Sequence, residues 1–481
     1  MREFFDGLRR RASSASDQPA INSPGCSVSY EELFERIRSV AHWAACLPHR
    51  IGLLFGNTPD GIVSDLALSF AGKELVPLPS FFSDAQLSHI IKTAQISHAV
   101  SEPGLGERAR RLGLVVCGPG SESTPSVEPA ADSGRIIFTS GTTGQPKGVR
   151  LSGRHIQASA AALAQASGAS AADRYLSLLP SALLLEQIAG IYVPLSVGAE
   201  IDLPSGPAGT SHTDSIAIAA ERADATATVL VPELLAKWLR ELEMLGRPAP
   251  KSLRYVAVGG APVSKLLAAS AWERGIPVHE GYGLSECCSV VAVNRPGDRR
   301  AGTVGRPLLG VQVTIDQGEI VVSGPTVMKG YLTETEIDPC APWLTGDVGY
   351  FDPDGFLVLT GRKDNVIVTG TGRNVHPEWI EDTITEHGSI RRCVVVEHKS
   401  ELVAVVIPDD ASLCTNWPAM QDLVEHATRD LPDYAKPKSY LAVSDQEFQR
   451  LDLFTANFRP RRSAVRRLVS EWSHFLSSQS M

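Results

Sequence analysis

In "SVSYEELFERIRSVAHWAA" the apolar residues Leu33, Ile37, Val40, Ala41 and Ala44 recur at helical spacing, and Ser29 followed by Glu32 forms a capping box, so a helix starts there. "IGLLFG", 51–56, is a short unbroken apolar run of the buried-strand kind, after which "NTPD" leads into a new helical pattern through Val63, Leu66, Ala67 and Phe70. The same strand-then-helix order recurs: "LVPLPS" precedes a Ser83 to Gln86 capping box, "TATVLVPE" precedes "LLAKWLREL", and "LRYVAVGG" precedes "SKLLAASAWERG". Such alternation predicts an α/β fold, a largely parallel sheet covered by helices on both faces. After Gly302 the period shortens, and "VQVTID", "GEIVVSG" and "GFLVLTG" read as strands separated by Gly, Asp and Pro turns. Past "GRKDN" the pattern resets to a strand "VIVTG", a helix opening near "HPEWIEDTI", strands "RRCVVVEH" and "LVAVVIP", and a helix ending at "RDLPDY". The division expected is a large domain over 1–362, its β-rich subdomain over 302–362, and a small α+β domain over 363–481. No internal repeat is visible, and "SESTPSVEPAADSG" has the composition of a linker.

The 481-residue length agrees with two or three domains, and 43% hydrophobic against 21% charged residues marks a globular chain. A net charge of −9 argues against a bulk electrostatic partnership with nucleic acid, so an anionic substrate would need a local basic site. No apolar run approaches the roughly 18 residues of a membrane span, and "MREFFDGLRRRASSASDQPA" lacks the apolar middle of a signal peptide. The expected location is the cytoplasm. Its eight cysteines are scattered, and the adjacent pair Cys287 and Cys288 lacks the spacing of a metal or redox motif, which predicts reduced thiols.

One stretch stands apart, "FTSGTTGQPKGVRLS" at 138–152. "RIIF" and "VRLS" read as strands, which makes the hydroxyl-rich segment the loop between them. Gly141, Gly144 and Gly148 allow sharp turns that expose amide N–H groups; Thr139, Ser140, Thr142 and Thr143 add hydroxyls and Lys147 a positive charge. That set suits wrapping phosphate oxygens. It lacks the Gly-Lys-Ser/Thr ending of a Walker loop and the G-x-G-x-x-G of a dinucleotide fold, and on composition alone a flexible surface hairpin is an equally open reading.

Further motifs follow in order: "GGAP" at 259–262, "EGYGLSE" at 280–286, "GTVGRPLLGV" at 302–311, "LTGDVGYFDPDGFLVLTGRKDNVIVTGTGRNVHPEWIE" at 344–381, and "LPDYAKP" at 431–437. With the loop at 138–149 they span nearly the whole chain, and the sequence resembles the adenylate-forming superfamily of acyl-CoA synthetases, nonribosomal adenylation domains and luciferases. That resemblance implies an AMP-forming acid–thiol ligase: a carboxylate attacks the α-phosphorus of ATP, pyrophosphate leaves, and the acyl-adenylate is then taken by a thiol or an amine. It implies that Thr139, Ser140, Gly141, Thr142, Thr143, Gly144 and Lys147 hold the β- and γ-phosphates, and that Glu286, with Thr139, ligates Mg2+. Tyr282 becomes the stacking face for adenine, with Gly260, Ala261, Pro262, Glu280, Gly281 and Gly283 shaping its pocket and Ser285 reaching the α-phosphate. Asp347 is expected on the ribose hydroxyls and Arg362 on ribose or phosphate; without the motif "GDVG" reads only as turn chemistry. Asp364 takes the hinge position about which the small domain swings between half-reactions.

"LLPSALLLEQIAGIYVPLSVGAEI" resembles the segment preceding the acyl pocket of fatty acyl synthetases, with Leu183 where a histidine often stands; Leu183, Leu184 and Leu185 are the candidate pocket residues and a fatty or other hydrophobic acid the expected substrate. Coenzyme A is the expected acceptor; a separate carrier protein or an amine is the alternative, and a non-catalytic nucleotide-binding descendant is a further one. That last reading comes from "FTANFRPRR", where the resemblance calls for Thr-x-x-Gly-Lys and this chain has Phe458 and Arg459. Arginine keeps the charge but presents a planar fork. Arg459 is the candidate for the adenylation cation, with Arg461 and Arg462 as alternatives. Phe81 and Phe82 are expected in a satellite core cluster.

Overall fold

The computed structural model describes residues 1–118, 128–130, 132–139, 146–204, 215–338, 341–369, 373–386, 389–399, 401–451, 453–454 and 460–479. Ser140, Gly141, Thr142, Thr143, Gly144, Phe458 and Arg459 lie outside these residues, as does most of the "SESTPSVEPAADSG" segment.

Two mainly parallel sheets build the large domain. In one, Val115–Cys117, His98–Ser101, Arg50–Leu54, Glu74–Pro77 and Gly134–Thr139 run parallel in that order, and Lys147–Ser152 closes the edge as an antiparallel hairpin partner. The other has nine strands, with Val278–Tyr282, Tyr255–Val258, Ala227–Leu230, Arg174–Leu176, Glu200–Asp202 and Pro19–Ser23 in parallel order and antiparallel strands at both edges. Helices begin where their caps are. Ser29 Oγ accepts the Glu32 N–H at 3.2 Å, and Ser83 with Gln86 closes both halves of its box at 3.3 and 2.8 Å. The helix Pro59–Phe70 is apolar on nearly every side, as befits an element buried between the sheets.

Inside that layer sits Arg135, only 2% exposed, in a forked pair with Asp65 at 2.6 and 2.5 Å, and it also donates to Gln187 (2.9 Å) and Tyr192 (2.5 Å). A buried charge is tolerated here because its N–H groups have acceptors; removing one partner of such a pair typically costs about 3–5 kcal/mol. The network ties the strand Gly134–Thr139 to Pro59–Phe70 and to the π-helical turn Gln187–Tyr192. That turn packs closely: a Cβ on Gly190 would lie 2.3 Å from Glu186 Oε1.

Downstream, Gln312–Asp316, Glu319–Ser323, Trp343–Phe351 and Leu357–Arg362 form an antiparallel sheet. The short helical turn Lys363–Asn365 then leads to a small unit with the sheet Ile390–His398, Glu401–Pro408 and Ser439–Ala442, covered by Pro377–Thr385, Trp417–Ala427 and Arg462–Gln479. The helix expected to end at "RDLPDY" stops at Ala427, with Thr428 as its cap.

Arg462 does not reach toward the large domain. Its guanidinium is buried inside the small unit, donating to Glu381 (2.5 and 2.9 Å), Glu378 (3.1 Å) and the Val395 carbonyl (2.8 Å). Arg461 Nε donates to the Phe454 carbonyl at 3.2 Å. Both alternatives to Arg459 are thus engaged within their own unit. Phe82 packs on the cluster around Leu78, Leu87 and Ile90, with Phe81 edge-on to it. The seven described cysteines are free thiols, and no described helix is long and apolar enough to cross a membrane.

Candidate active site

The candidate residues converge where the parallel strands end. Tyr282 closes the strand Val278–Tyr282, and its ring is 8% exposed, with the hydroxyl donating to Asp347 Oδ2 at 2.6 Å. The other carboxylate oxygen, Oδ1, accepts from Arg362 Nη1 at 3.0 Å. Asp347 is not in a turn. It lies within the strand Trp343–Phe351, register partner of Arg362, so the sheet itself sets this pair. A carboxylate held by one donor on each oxygen still has lone pairs for a diol. Burial, followed by the Asp347 charge, pushes the Tyr282 phenol well above its usual range, which keeps it a donor.

Glycines clear the floor. A Cβ on Gly283 would lie 1.5 Å from the Ser289 carbonyl oxygen, and one on Gly259 3.1 Å from that of Gly281. Gly260, at φ +83, holds a left-handed turn beside the half-buried Ala261 and exposed Pro262. Glu280 is buried, and desolvation lifts its carboxyl to about 7 against the pull of the Gly302 backbone bond. Ser285 and Glu286 follow on a single tight turn, Ser285–Cys287.

The second cluster is organised by Tyr331. Its hydroxyl donates to Glu286 Oε1 at 2.9 Å while Lys147 Nζ sits over its ring at 4.8 Å. Lys147 pairs with Thr139 at the end of the strand pair, so both flank residues 140–145 in the chain. Tyr331 is a site residue that the motifs did not supply; the signal in the sequence was an aromatic after a glycine, Gly330 at φ +122, and the Val149–Tyr331 bridge pins it to the hairpin. Among the described residues no three His, Cys, Asp or Glu side chains gather to hold a metal. A cation beside Glu286 would therefore complete its shell with nucleotide oxygens and water, which is how magnesium is usually held.

Beneath the strand ends, a partly open cavity lies between the nine-stranded sheet and the layer of Gly153–Ser167 and Gln187–Tyr192, walled by Leu163, Ala189, Val193, Val229 and Ala257. Leu183, Leu184 and Leu185 do not line it. They start the helical turn one step earlier and pack into the main core, because the chain must complete that turn before it faces the sheet. Glu186 is wholly buried beside it, holding bonds from Ser177 (2.7 Å) and Tyr175 (3.0 Å), and burial lifts its carboxyl to about 8.

The small unit touches this region at its rim. Arg392 pairs with Glu233 in the first turn of Pro232–Leu245 and lies 5.1 Å from the ring of Phe454, immediately ahead of the segment 455–459. Asp364 sits exposed on Lys363–Asn365, within 3.9 Å of Arg362.

Residues 8–332 match the family model of AMP-binding enzymes, and residues 379–450 match that of their C-terminal domain. The chain belongs to the AMP-binding enzyme family. A curated relative, the 2-succinylbenzoate–CoA ligase of Bacillus pumilus, is 30% identical over 377 residues, 72% of this chain and 74% of that protein. The o-succinylbenzoate CoA synthetase of Bacillus subtilis, solved with its acyl-adenylate, shares the fold at a TM-score of 0.81 and 22% identity, over 95% of this chain and 97% of that one. The amide bond synthetase McbA of Marinactinospora thermotolerans superposes at 0.81 with 26% identity, over 97% of this chain and 99% of that one. The α/β fold and an AMP-binding acid–thiol ligase stand as expected from the motifs, and the Bacillus subtilis synthetase has also been solved with ATP and a magnesium ion.

Proposed function

We propose that this AMP-binding enzyme activates a compact hydrophobic acid, aromatic rather than long-chain fatty, and transfers its acyl group to coenzyme A. The observation that carries the nucleotide half is the carboxylate of Asp347, fixed from both sides by Tyr282 and Arg362 at the edge of a glycine-cleared floor. The aromatic reading is supported by the 2-succinylbenzoate named for the relatives and by an apolar-walled pocket beside the sheet; no relative named here supports a fatty acid or a carrier protein.

In this reading Asp347 accepts the ribose hydroxyls, Tyr282 presents its ring to adenine, and Arg362 offers its remaining N–H groups to ribose or phosphate. Gly260, Ala261, Pro262, Glu280, Gly281 and Gly283 line the base, with Ser285 at the α-phosphate. Lys147 and Thr139, with the hydroxyls and amides of 140–144, hold the outer phosphates, while Glu286, oriented by the Tyr331 hydroxyl, and Thr139 hold Mg2+, which when bound neutralises phosphate charge. As the acid's oxygen bonds to the α-phosphorus and pyrophosphate departs, negative charge builds on phosphate oxygens, and donors already fixed in place stabilise it without reorganising. The thiol of coenzyme A then attacks the acyl carbon and AMP leaves. Asp364 is the hinge for the intervening swing, and the domain division falls at 362/363.

The test is acid-dependent exchange of labelled pyrophosphate into ATP, followed by thioester formation on adding coenzyme A, over aromatic and aliphatic acids. Exchange with no acid of either class sinks the proposal. The likeness to an amide bond synthetase gives a second reading, an amine acceptor. Thiol and amine offered together decide between them by product.

A further inference from the structure

The cavity behind the strand ends presents six polar side chains, and five of them are already satisfied. Arg254 and Asp173 close on each other through two bonds of 2.6 and 2.5 Å, and Arg254 also donates to the Ser167 carbonyl at 2.7 Å. Ser167 Oγ donates to Leu163 O, Thr228 Oγ1 to Leu176 O and Tyr175 to Glu186, at 2.8, 2.7 and 3.0 Å. The sixth is Tyr255. Its residue is 5% exposed, its ring is stacked on His279 at 4.5 Å, and its hydroxyl, buried in the cavity wall, has no hydrogen-bond partner among the described residues.

A phenol buried without a partner is destabilising, and a ring clamped by stacking cannot turn the hydroxyl elsewhere. Resting on the reading of this cavity as the acyl pocket, we propose that Tyr255 selects acids whose distal end carries an uncharged oxygen acceptor, a ketone, ether or ester, and donates a hydrogen bond to it. A charged tail is disfavoured because Arg254, the one cation among the described residues that line the cavity, is spent on Asp173, so a second carboxylate would be buried unpaired. The reach follows from the strand: Gly259, at the catalytic end, and Tyr255 are four residues apart, or about 13 Å. The acceptor therefore lies several bonds beyond the reacting carboxyl, past a spacer that fills the apolar stretch between Ala257 and Val229.

The test uses ω-phenylalkanoates of increasing chain length, each in plain, para-acetyl and para-carboxy form, assayed by pyrophosphate exchange on the full chain and on Tyr255→Phe. At the best-fitting length the wild type should use the acetyl acid about tenfold or more better than the plain one in kcat/KM, with the carboxy acid the poorest. In Tyr255→Phe the acetyl-to-plain ratio should fall to near one, and the acetyl acid should lose its advantage in raising the melting temperature. Equal use of acetyl and plain acids by the wild type, or a preference that survives in Tyr255→Phe, overturns the inference while the proposed function stands. No exchange with any acid overturns both.

Discussion

The Tyr282–Asp347 bond offers the sharpest test of the nucleotide site, because a single oxygen atom can be removed without altering the ring. In Tyr282→Phe, Asp347 Oδ2 loses a donor at 2.6 Å, in a carboxylate that is 14% exposed and keeps only Arg362 on its other oxygen. A hydrogen bond to a charged group contributes about 1.5–3 kcal/mol, so kcat/KM for ATP should fall by roughly 10- to 100-fold at about 1.4 kcal/mol per decade. Asp347→Ala removes the proposed ribose acceptor itself and strands both Tyr282 and Arg362, and should cost about 100-fold or more on the same scale.

The decisive measurement is the double variant. If the Tyr282 hydroxyl works only through Asp347, losing it costs nothing further once the carboxylate is gone, and the cycle should return a coupling of about 1.5–3 kcal/mol. Pyrophosphate exchange at saturating acid, with ATP varied, supplies all four constants, and melting temperatures show whether each variant is folded. Losses that multiply, leaving a coupling below about 0.5 kcal/mol, would refute the reasoning; so would a Tyr282→Phe defect seen in KM for the acid and not for ATP.

Glu186→Gln should stabilise the protein at pH 8 with the gain shrinking toward pH 5: a carboxyl raised to about 8 in the fold contributes stability that is full below about 4.5 and drains away as pH rises to about 8, at up to about 1.4 kcal/mol per pH unit. Chemical unfolding of both proteins across that range checks it, and a variant less stable than wild type at every pH contradicts it. Glu286→Gln should raise the magnesium concentration needed for half-maximal exchange about tenfold while leaving KM for the acid near its original value, the loss expected when a carboxylate ligand becomes an amide. Asp364→Pro should slow thioester formation well below the rate of adenylate formation, since a proline at the turn Lys363–Asn365 restricts φ there; equal loss of both half-reactions, measured separately, would refute the hinge. Arg459→Ala should cut adenylation about 10²-fold and spare transfer from supplied acyl-adenylate, and wild-type adenylation in that variant would mean that the small domain does not deliver its cation through Arg459.

Pattern alone predicted much of the large domain. Ser29 and Ser83 cap the helices their spacing announced, and "LRYVAVGG" and "TATVLVPE" are neighbouring parallel strands, because short apolar runs and caps are local signals. Asp347 shows where local signals end. "TGDVG" reads as a turn by residue preference, yet pairing with Glu319–Ser323 and Leu357–Arg362 makes it strand, and that register brings Arg362 to the carboxylate. The satisfied Glu186 and the unsatisfied Tyr255 were equally hidden: a carboxylate in "LLLEQIAGIY" announces a problem, but not that Ser177 and Tyr175 solve it from nine and eleven residues earlier in the chain.

The arginines after Phe454 illustrate the same limit in a way that bears on the swing. By composition they form one basic run, and any of them could serve. Packing separates them: Arg462 is locked to Glu378 and Glu381, and Arg461 reaches back to Phe454, leaving Arg459 the residue for which the proposed role has not been displaced. Phe454 leans on Arg392, and Arg392 pairs with Glu233 at the rim of the large domain, so an ion pair links the small unit to that rim. That pair is partly solvated, with side chains 19% and 33% exposed, and such pairs are worth about 1 kcal/mol or less. A link this weak holds one pose without trapping it, which is what the proposed swing of the small unit after adenylation would require.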